Sequence, residues 1–490
     1  MKRIMVAIAA IAMAGYAMVA GNPKSEFRGA WMHTVFQGQY AKQSTEENKE
    51  YLRRQLDSLQ LAGVNAIVFQ VRPSADAFYE SKYEPWSRFL TKNGAAPTPY
   101  WDPLQFMIDE SHARGMELHA WLNPYRVTTS KNEKLAPNHI YHKHPERFLE
   151  YDGKLYFDPA LPENREFIEN VVRDIVTRYD VDAIHMDDYF YPYPVAGKEF
   201  PDDKSYAKYG KGMKRDDWRR QNVDQLIEGL HNVLQQTKPW VRLGISPFGV
   251  YRNKSTDPKG SDTQALQNYD DLYADVLLWT EKGWVDYMLP QLYWEIEHKR
   301  APYPVLVEWW NGVTNDRHMY VGQDVMKCMS KKDITTTNPT QLRTRVELAR
   351  KQPNIKGNCW WPGYAITSNY MGACDSLATD LQSTIALVPA YTWMTTVTPS
   401  APKALNAAGK KLTWAPANAD KCVTEDTPKF VIYSTNGKGV DEAVSDPANI
   451  VAVVYGTEWV APDGFSGEVV VTALDRANNE SAPSEAVAVK

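Results

Sequence analysis

From about residue 27 to 388 the hydrophobic and polar positions repeat one pattern: an amphipathic helix, a short break that often holds glycine, then an apolar strand ending in polar residues. The predicted strands are FRGAWMHTV (27–35), NAIVFQVRP (65–73), MELHAWLNP (116–124), VDAIHMDDY (181–189), VRLGISPFGV (241–250), VDYMLPQLYW (285–294), HMYVGQDV (318–325) and IKGNCWWPGY (355–364). The helices between them carry local signals. Leu52, Leu56 and Leu59 share one face, with Gly63 at the expected left-handed C-terminal cap. Asp102 and Pro103 suit the N-cap and first position of a second helix, and Gly115 follows its last turn. Eight strands alternating with helices predict an α/β fold, a closed (β/α)8 TIM barrel. An open doubly wound sheet is the alternative, but no glycine-rich phosphate fingerprint follows the first strand. No cofactor is therefore expected.

The connections are unequal. Helix-to-strand turns such as LAGVN, ARGME and RYDVD are short, whereas residues 73–101, 124–162 and 189–214 form long strand-to-helix loops rich in Tyr, Trp and Pro. A barrel decorated at one end carries its site there, at the C-terminal ends of the strands. The barrel domain is expected over residues 26–388, and PAYTWMTTVTPSA (389–401) reads as a linker. After it, KKLTW, KFVIYS, NIVAVVY and GEVVVTALD predict a small all-β sandwich over 402–490. At the other end, residues 1–21 pair Lys2 and Arg3 with a short apolar run and small residues, the pattern of a secretory signal peptide. The expectation is an exported protein, periplasmic or extracellular, without a transmembrane segment.

A net charge of −5 with no basic runs argues against nucleic acid as a partner. Cys328, Cys359, Cys374 and Cys422 are too sparse for a disulfide framework; their three pairings stay open, and their spacing matches no common zinc signature. The 16 Trp and 28 Tyr residues serve either ordinary packing or, as amphipathic plates in loops, stacking on sugar rings.

Strand alternation sharpens the chemistry. Gln70 and Arg72 share a face, as do His119, Trp121 and Asn123, His185 and Asp187, and Gln291, Tyr293 and Glu295. Four strands thus present polar residues of one parity near the barrel mouth. Asp187 is expected to face that mouth, with Glu295 supplying a second carboxylate across it. Asp188, of opposite parity, is expected to secure a loop or cap a helix unless the strand bends. Two carboxylates facing one cleft are the minimal equipment for glycosidic cleavage, one protonated and one ionised. Arg72 would keep one of them ionised, and the aromatic wall of Tyr293 and Trp294 would raise the other. Other classes have weaker support. Asp187 could be purely structural; His119, His185, Asp187 and Asp324 could surround a cation, but no HExxH-like spacing accompanies them. No GxSxG elbow is present, and Cys359 in NCWWPG has no evident histidine partner.

The stretches FRGAWMHTV, GVNAIVFQVRPSADAFYESKYEPWS, DPLQFMIDESHARGMELHAWLNPYR, YFDPALPENREFI and VDAIHMDDYFYP resemble the glycosyl hydrolase-like 10 family, over about residues 26–330. The resemblance implies a TIM barrel in an exported bacterial protein that hydrolyses O-glycosyl bonds of cell-envelope glycans, peptidoglycan among them. Arg72 in QVRP, His119 and Asn123 in HAWLNPYR, and Asp187 and Asp188 in HMDDY fall on these motifs, and Glu295 lies further on in QLYWE. Residues 399–490 resemble a fibronectin type III domain through KLTWAPA and VVVTALDRANNESAPS, with Val469 where that family has its corner tyrosine. The combined expectation is a two-carboxylate glycoside hydrolase acting on a polysaccharide. Asp187 would be nucleophile or general base, Glu295 general acid, and Asp188 a further candidate. Arg72, His119, Asn123, His185, Gln291 and Tyr293 would bind sugar or tune the acids, and Trp121 and Trp361 would stack on it. A non-catalytic glycan-binding protein using the same cleft is the alternative.

Overall fold

The structure is a computed structural model that describes residues 21–490 except 396 and 416–428; the predicted leader up to Ala20, and Cys422, lie outside the described residues. Strands β1 (Phe27–Met32), β2 (Ala66–Arg72) and β3 (Glu117–Leu122) are followed by a hairpin, β4 (Phe148–Tyr151) and β5 (Lys154–Phe157). Then come β6 (Ala183–Met186), β7 (Arg242–Ile245), β8 (Tyr287–Met288), β9 (His318–Asp324) and β10 (Ile355–Trp361). All but the hairpin close into one parallel barrel in the order β1-β10-β9-β8-β7-β6-β3-β2, so the predicted (β/α)8 architecture forms. Each predicted strand contains an observed one that stops earlier, because the polar strand ends turn away to build the mouth. The sixth is shortest. Pro290 interrupts it, having no N–H for the ladder, and pairing resumes only as isolated bridges from Gln291 to Phe248 and Gly322.

The helices begin where their caps predict. Ser44 and Glu47 form a reciprocal capping box ahead of helix Thr45–Leu61, and Asp102 accepts from the amides of Leu104 and Gln105. Inside the barrel, rings fill the space that glycine leaves. A Cβ on Gly244 would lie 1.9 Å from the Tyr287 ring, so only glycine on β7 lets that ring cross the interior. The Tyr287 hydroxyl then meets both His119 (2.9 Å) and His185 (3.0 Å). Phe27 stacks on Tyr320 at 4.0 Å. Full burial of such rings stabilises by about 1.5–3 kcal/mol each, making the barrel centre a packed floor rather than a channel.

The remaining strands are β11 (Lys403–Ala408), β12 (Lys411–Ala415), β13 (Lys429–Ser434), β14 (Ile450–Tyr455), β15 (Glu458–Val460), β16 (Gly467–Leu474) and β17 (Val487–Val489). They form two antiparallel sheets, β11-β12-β15 and β14-β13-β16-β17, enclosing Leu412, Trp414, Phe430, Ile432, Trp459 and Val471. This unit sits on the N-terminal end of the barrel, opposite the mouth. Lys429 Nζ reaches Glu117 at 2.7 Å, Arg476 pairs with Asp180 at 2.9 Å, and Tyr455 stacks on His112 at 4.0 Å. Within the segment read as a linker, Tyr391 is fully buried, its hydroxyl 2.9 Å from that of Tyr320.

Candidate active site

A cleft of about 320 Å³ opens at the C-terminal ends of the strands. Its floor and walls come from Trp31, Gln70, Trp121 and Trp361 on strands, with Ser246, Gln291 and Tyr293 just beyond strand ends. His33, Val35, Phe36, Arg126 and Tyr189 complete it from the loops, and Asp187 is the carboxylate on its wall. The tryptophans are linked edge to face, Trp361 lying 6.5 Å from Trp31 and 6.2 Å from Trp121.

Asp187 is held by three donors. Asn123 Nδ2 donates to Oδ2 at 3.0 Å; Gln291 Nε2 and the Asp188 amide donate to Oδ1 at 3.2 and 2.9 Å. The Asn123 amide is oriented in turn, since its Oδ1 accepts from Gln70 Nε2 (2.6 Å) and Arg126 Nη2 (2.9 Å). Gln70 Oε1 accepts the backbone amides of Thr34 and Val35, both at 2.9 Å. A chain of oriented amides therefore runs from the end of β1 across β2 and β3 to one carboxylate, with little freedom to reorganise.

Asp188 lies directly behind. β6 ends at Met186, so alternation no longer separates the next two side chains, and both carboxyls reach one place. Burial pushes Asp188 well above the usual carboxylate range, and the neighbouring charge and hydrogen bond of Asp187 push it the same way. The Tyr193 hydroxyl, from the YFYPYP loop, donates to it. Asp188 is thus the member of the pair whose surroundings disfavour the charged form, two like groups sharing one site.

A model of the Glycosyl hydrolase-like 10 family matches residues 26–337. The chain belongs to this family. By class it is a glycoside hydrolase. It is 38% identical over 481 residues to Glycosyl hydrolase YngK of Bacillus subtilis (strain 168), covering 96% of this chain and 94% of that protein. To Glycosyl hydrolase DigH of Escherichia coli (strain K12) it is 38% identical over 320 residues, 62% of this chain and 72% of that one. Among solved structures it is similar to the PgaB (BpsB) glycoside hydrolase domain from Bordetella bronchiseptica. There the identity is 12% and the TM-score 0.43, over 73% of this chain and 99% of that chain.

The family member's cleft gathers only part of the set expected from sequence. Trp121, Asp187, Gln291, Tyr293 and Trp361 line it, and Asn123 and Asp188 stand immediately behind Asp187. Burial raises Tyr293 well above a normal phenol, and the charge of Asp187 adds to this, so its hydroxyl stays protonated.

Arg72 does not line the cleft. It is fully buried, pairs with both oxygens of Glu84 (2.7 and 2.6 Å) and donates to the Asn123 and Pro124 carbonyls, so it sets the backbone that carries Asn123. His119 lies deep, between Tyr287 and Glu117, and burial lowers its pKa. His185 is under the floor, bonded to Tyr287 and Ser246 and 3.3 Å from Trp31 Nε1; burial holds it neutral. Asp324 caps helix Val325–Ser330, so the four residues that composition allowed around a cation do not meet.

Glu295 is the largest departure. It is absent from the cleft wall and sits 3.4 Å from Lys331. Partial burial acts to raise its pKa, but a backbone hydrogen bond and Lys331 outweigh that and lower it, the reverse of what a general acid requires. Pro290 ends the ladder, and the inward parity that Gln291 and Tyr293 still keep is lost by Glu295.

Several cleft residues were not foreseen. Trp31 and His33 share the inward parity of Phe27 on β1, and Ser246 that of Gly244 on β7; the alternation argument extends to them. Burial lowers His33 to about 4, so it is a neutral donor or acceptor. Arg126 and Tyr189 come from irregular loops, where no periodicity signals position; they meet as a cation over a ring at 5.1 Å.

Proposed function

We propose that this family member cleaves O-glycosyl bonds of a polysaccharide by acid–base chemistry centred on the Asp187–Asp188 pair. The observation that carries the reading is the pair itself, two adjacent buried carboxyls, the rear one in surroundings that disfavour its charge, the front one on the wall of an aromatic cleft. Asp187, facing the sugar, gives the proton it shares with Asp188 to the leaving oxygen as the glycosidic C–O bond breaks; water adds to the anomeric carbon and returns a proton to the ionised pair. Gln291, Tyr293, His33 and Arg126 offer hydroxyl-binding groups, and Trp121 and Trp361 the apolar plates on which sugar rings stack. The leader-like residues 1–21 support export to the periplasm or the exterior, where a cell-envelope glycan such as peptidoglycan is the accessible polymer.

The test is incubation with peptidoglycan, with and without its stem peptides, and with common plant and host polysaccharides, followed by reducing-end assay and mass spectrometry. The expected result is new reducing ends from one polymer, with Asp187→Asn lowering their release by about 10²–10⁴-fold while binding persists. Unchanged release by that variant overturns the assignment. A wild type that binds glycan but releases nothing from any polymer is a binding protein instead.

A further inference from the structure

Phe36 is a costly residue where it stands. Its backbone is left-handed (φ 62°), a conformation ordinarily left to Gly, Asn or Asp, and unfavourable for a bulky side chain. Its side chain recovers nothing by burial, since the residue is 68% exposed, the ring meeting Phe89 only edge-on, with centroids 6.1 Å apart. One ring face is thus left open, and Phe36 lines the cleft. The strain is maintained by its neighbours, because Gln70 Oε1 clamps the amides of both Thr34 and Val35. A strained, exposed aromatic held at a cleft entrance is a pattern of ligand sites rather than of folding cores.

We propose that Phe36 is an outer sugar-stacking subsite, binding a ring of the glycan beyond those at Asp187, so that the enzyme favours long chains. This rests on the glycan-cleft reading above. Two features support it. The two residues before Phe36 are clamped by the same Gln70 amide whose Nε2 orients Asn123 against Asp187, so the turn that carries Phe36 and the acid pair are joined through one side chain. In addition, an aromatic run leads outward from the floor, with His33 4.9 Å from Trp361 and 6.0 Å from the half-exposed Tyr364. Successive tilted rings along a cleft suit a polymer better than a single residue.

The test compares wild type with Phe36→Gly and Phe36→Trp, full length, by affinity for two graded series: peptide-free peptidoglycan glycan strands and β-1,4-linked N-acetylglucosamine oligomers from dimer to hexamer. Affinities are measured in the Asp187→Asn background, and KM and kcat on any chain that is cleaved. The wild type is expected to bind more tightly as chains lengthen. Phe36→Gly removes that gain, weakening the longest chains by about tenfold and the dimer far less, with the loss in KM rather than kcat. Phe36→Trp retains it. Glycine also relieves the positive φ, so the melting temperature is held or raised, whereas a structural role for the ring would lower it. A length preference untouched by Phe36→Gly, a lowered melting temperature with uniform weakening, or no binding to either series overturns the subsite. The hydrolase reading is judged separately, by the reducing-end assay.

Discussion

Asp187 and Asp188 are identical residues one peptide bond apart, and their surroundings give them different tasks. Asp187 faces the cleft with three hydrogen-bond donors, whereas Asp188 is enclosed behind it, where burial and the Asp187 charge raise its pKa. The stability consequence has a definite sign. A carboxyl whose pKa is raised by folding is neutral in the native state while the unfolded chain has already ionised, so its contribution to stability falls as pH climbs from about 3.9 toward the folded value. Asp188→Asn is neutral throughout, and its stability relative to wild type is expected to increase with pH, as urea midpoints at pH 4 and pH 8 will show. The same variant should lower turnover by about 10²–10⁴-fold and abolish the basic limb of the wild-type pH–rate profile. Glu295→Gln, by contrast, is expected to change kcat/KM by less than about threefold. Its carboxylate pairs with Lys331 at the surface, and such exposed pairs contribute only about 0–1 kcal/mol. A loss of several hundredfold would return Glu295 to the acid role.

At the scale of elements, the mouth depends on how β2 and β3 end. Arg72, the last residue of β2, is buried against Glu84 and holds the carbonyls of Asn123 and Pro124 just beyond β3. Replacing it leaves the Glu84 charge buried without its partner. Arg72→Met is therefore expected to cost about 3–5 kcal/mol in thermal or urea unfolding and to reduce kcat through misplacement of Asn123. Alternation places Gln70 and Trp121, which lie on strands, and carries past the strand ends to Asp187, Gln291 and Tyr293, but it does not place Asp188 or Glu295. The β4–β5 hairpin is a local pairing that the sequence does signal, since Asp152 and Gly153 both take positive φ in its two-residue turn, a combination that favours such hairpins.

Across the whole molecule, the β-sandwich acts as a base plate. Glu117, at the start of β3, receives Arg242 from β7, Lys429 from β13, Asn478 and His119, all with scarcely any solvent contact. Burial alone would raise the Glu117 carboxyl, but the Arg242 and Lys429 charges hold it well below the usual range. Its contribution is therefore complete above the unfolded pKa of about 4.3 and is lost as pH falls through the lower folded value. Glu117→Gln leaves two buried cations unpaired; a loss of about 3–5 kcal/mol at neutral pH is expected, with a smaller further loss on acidification than wild type shows. Calorimetry of the full-length chain at pH 7 and pH 3 measures both. This surface lies at the barrel end opposite the cleft, which places the sandwich away from Asp187.

The sequence by itself determined the eight strands, their order along the chain, the helix caps and the end of the barrel that carries the long loops. These follow from periodicity and capping chemistry over a few residues, and the family motifs lie on the same segments. Only the tertiary structure decided which acids meet. It brought Asp188 behind Asp187, withdrew Glu295 to Lys331, turned Arg72, His119 and His185 into supports, and supplied Trp31, His33, Phe36 and Arg126 to the cleft. Charge state and access depend on burial and on partners distant in the chain, such as Gln291, 104 residues from Asp187, and no local pattern encodes those.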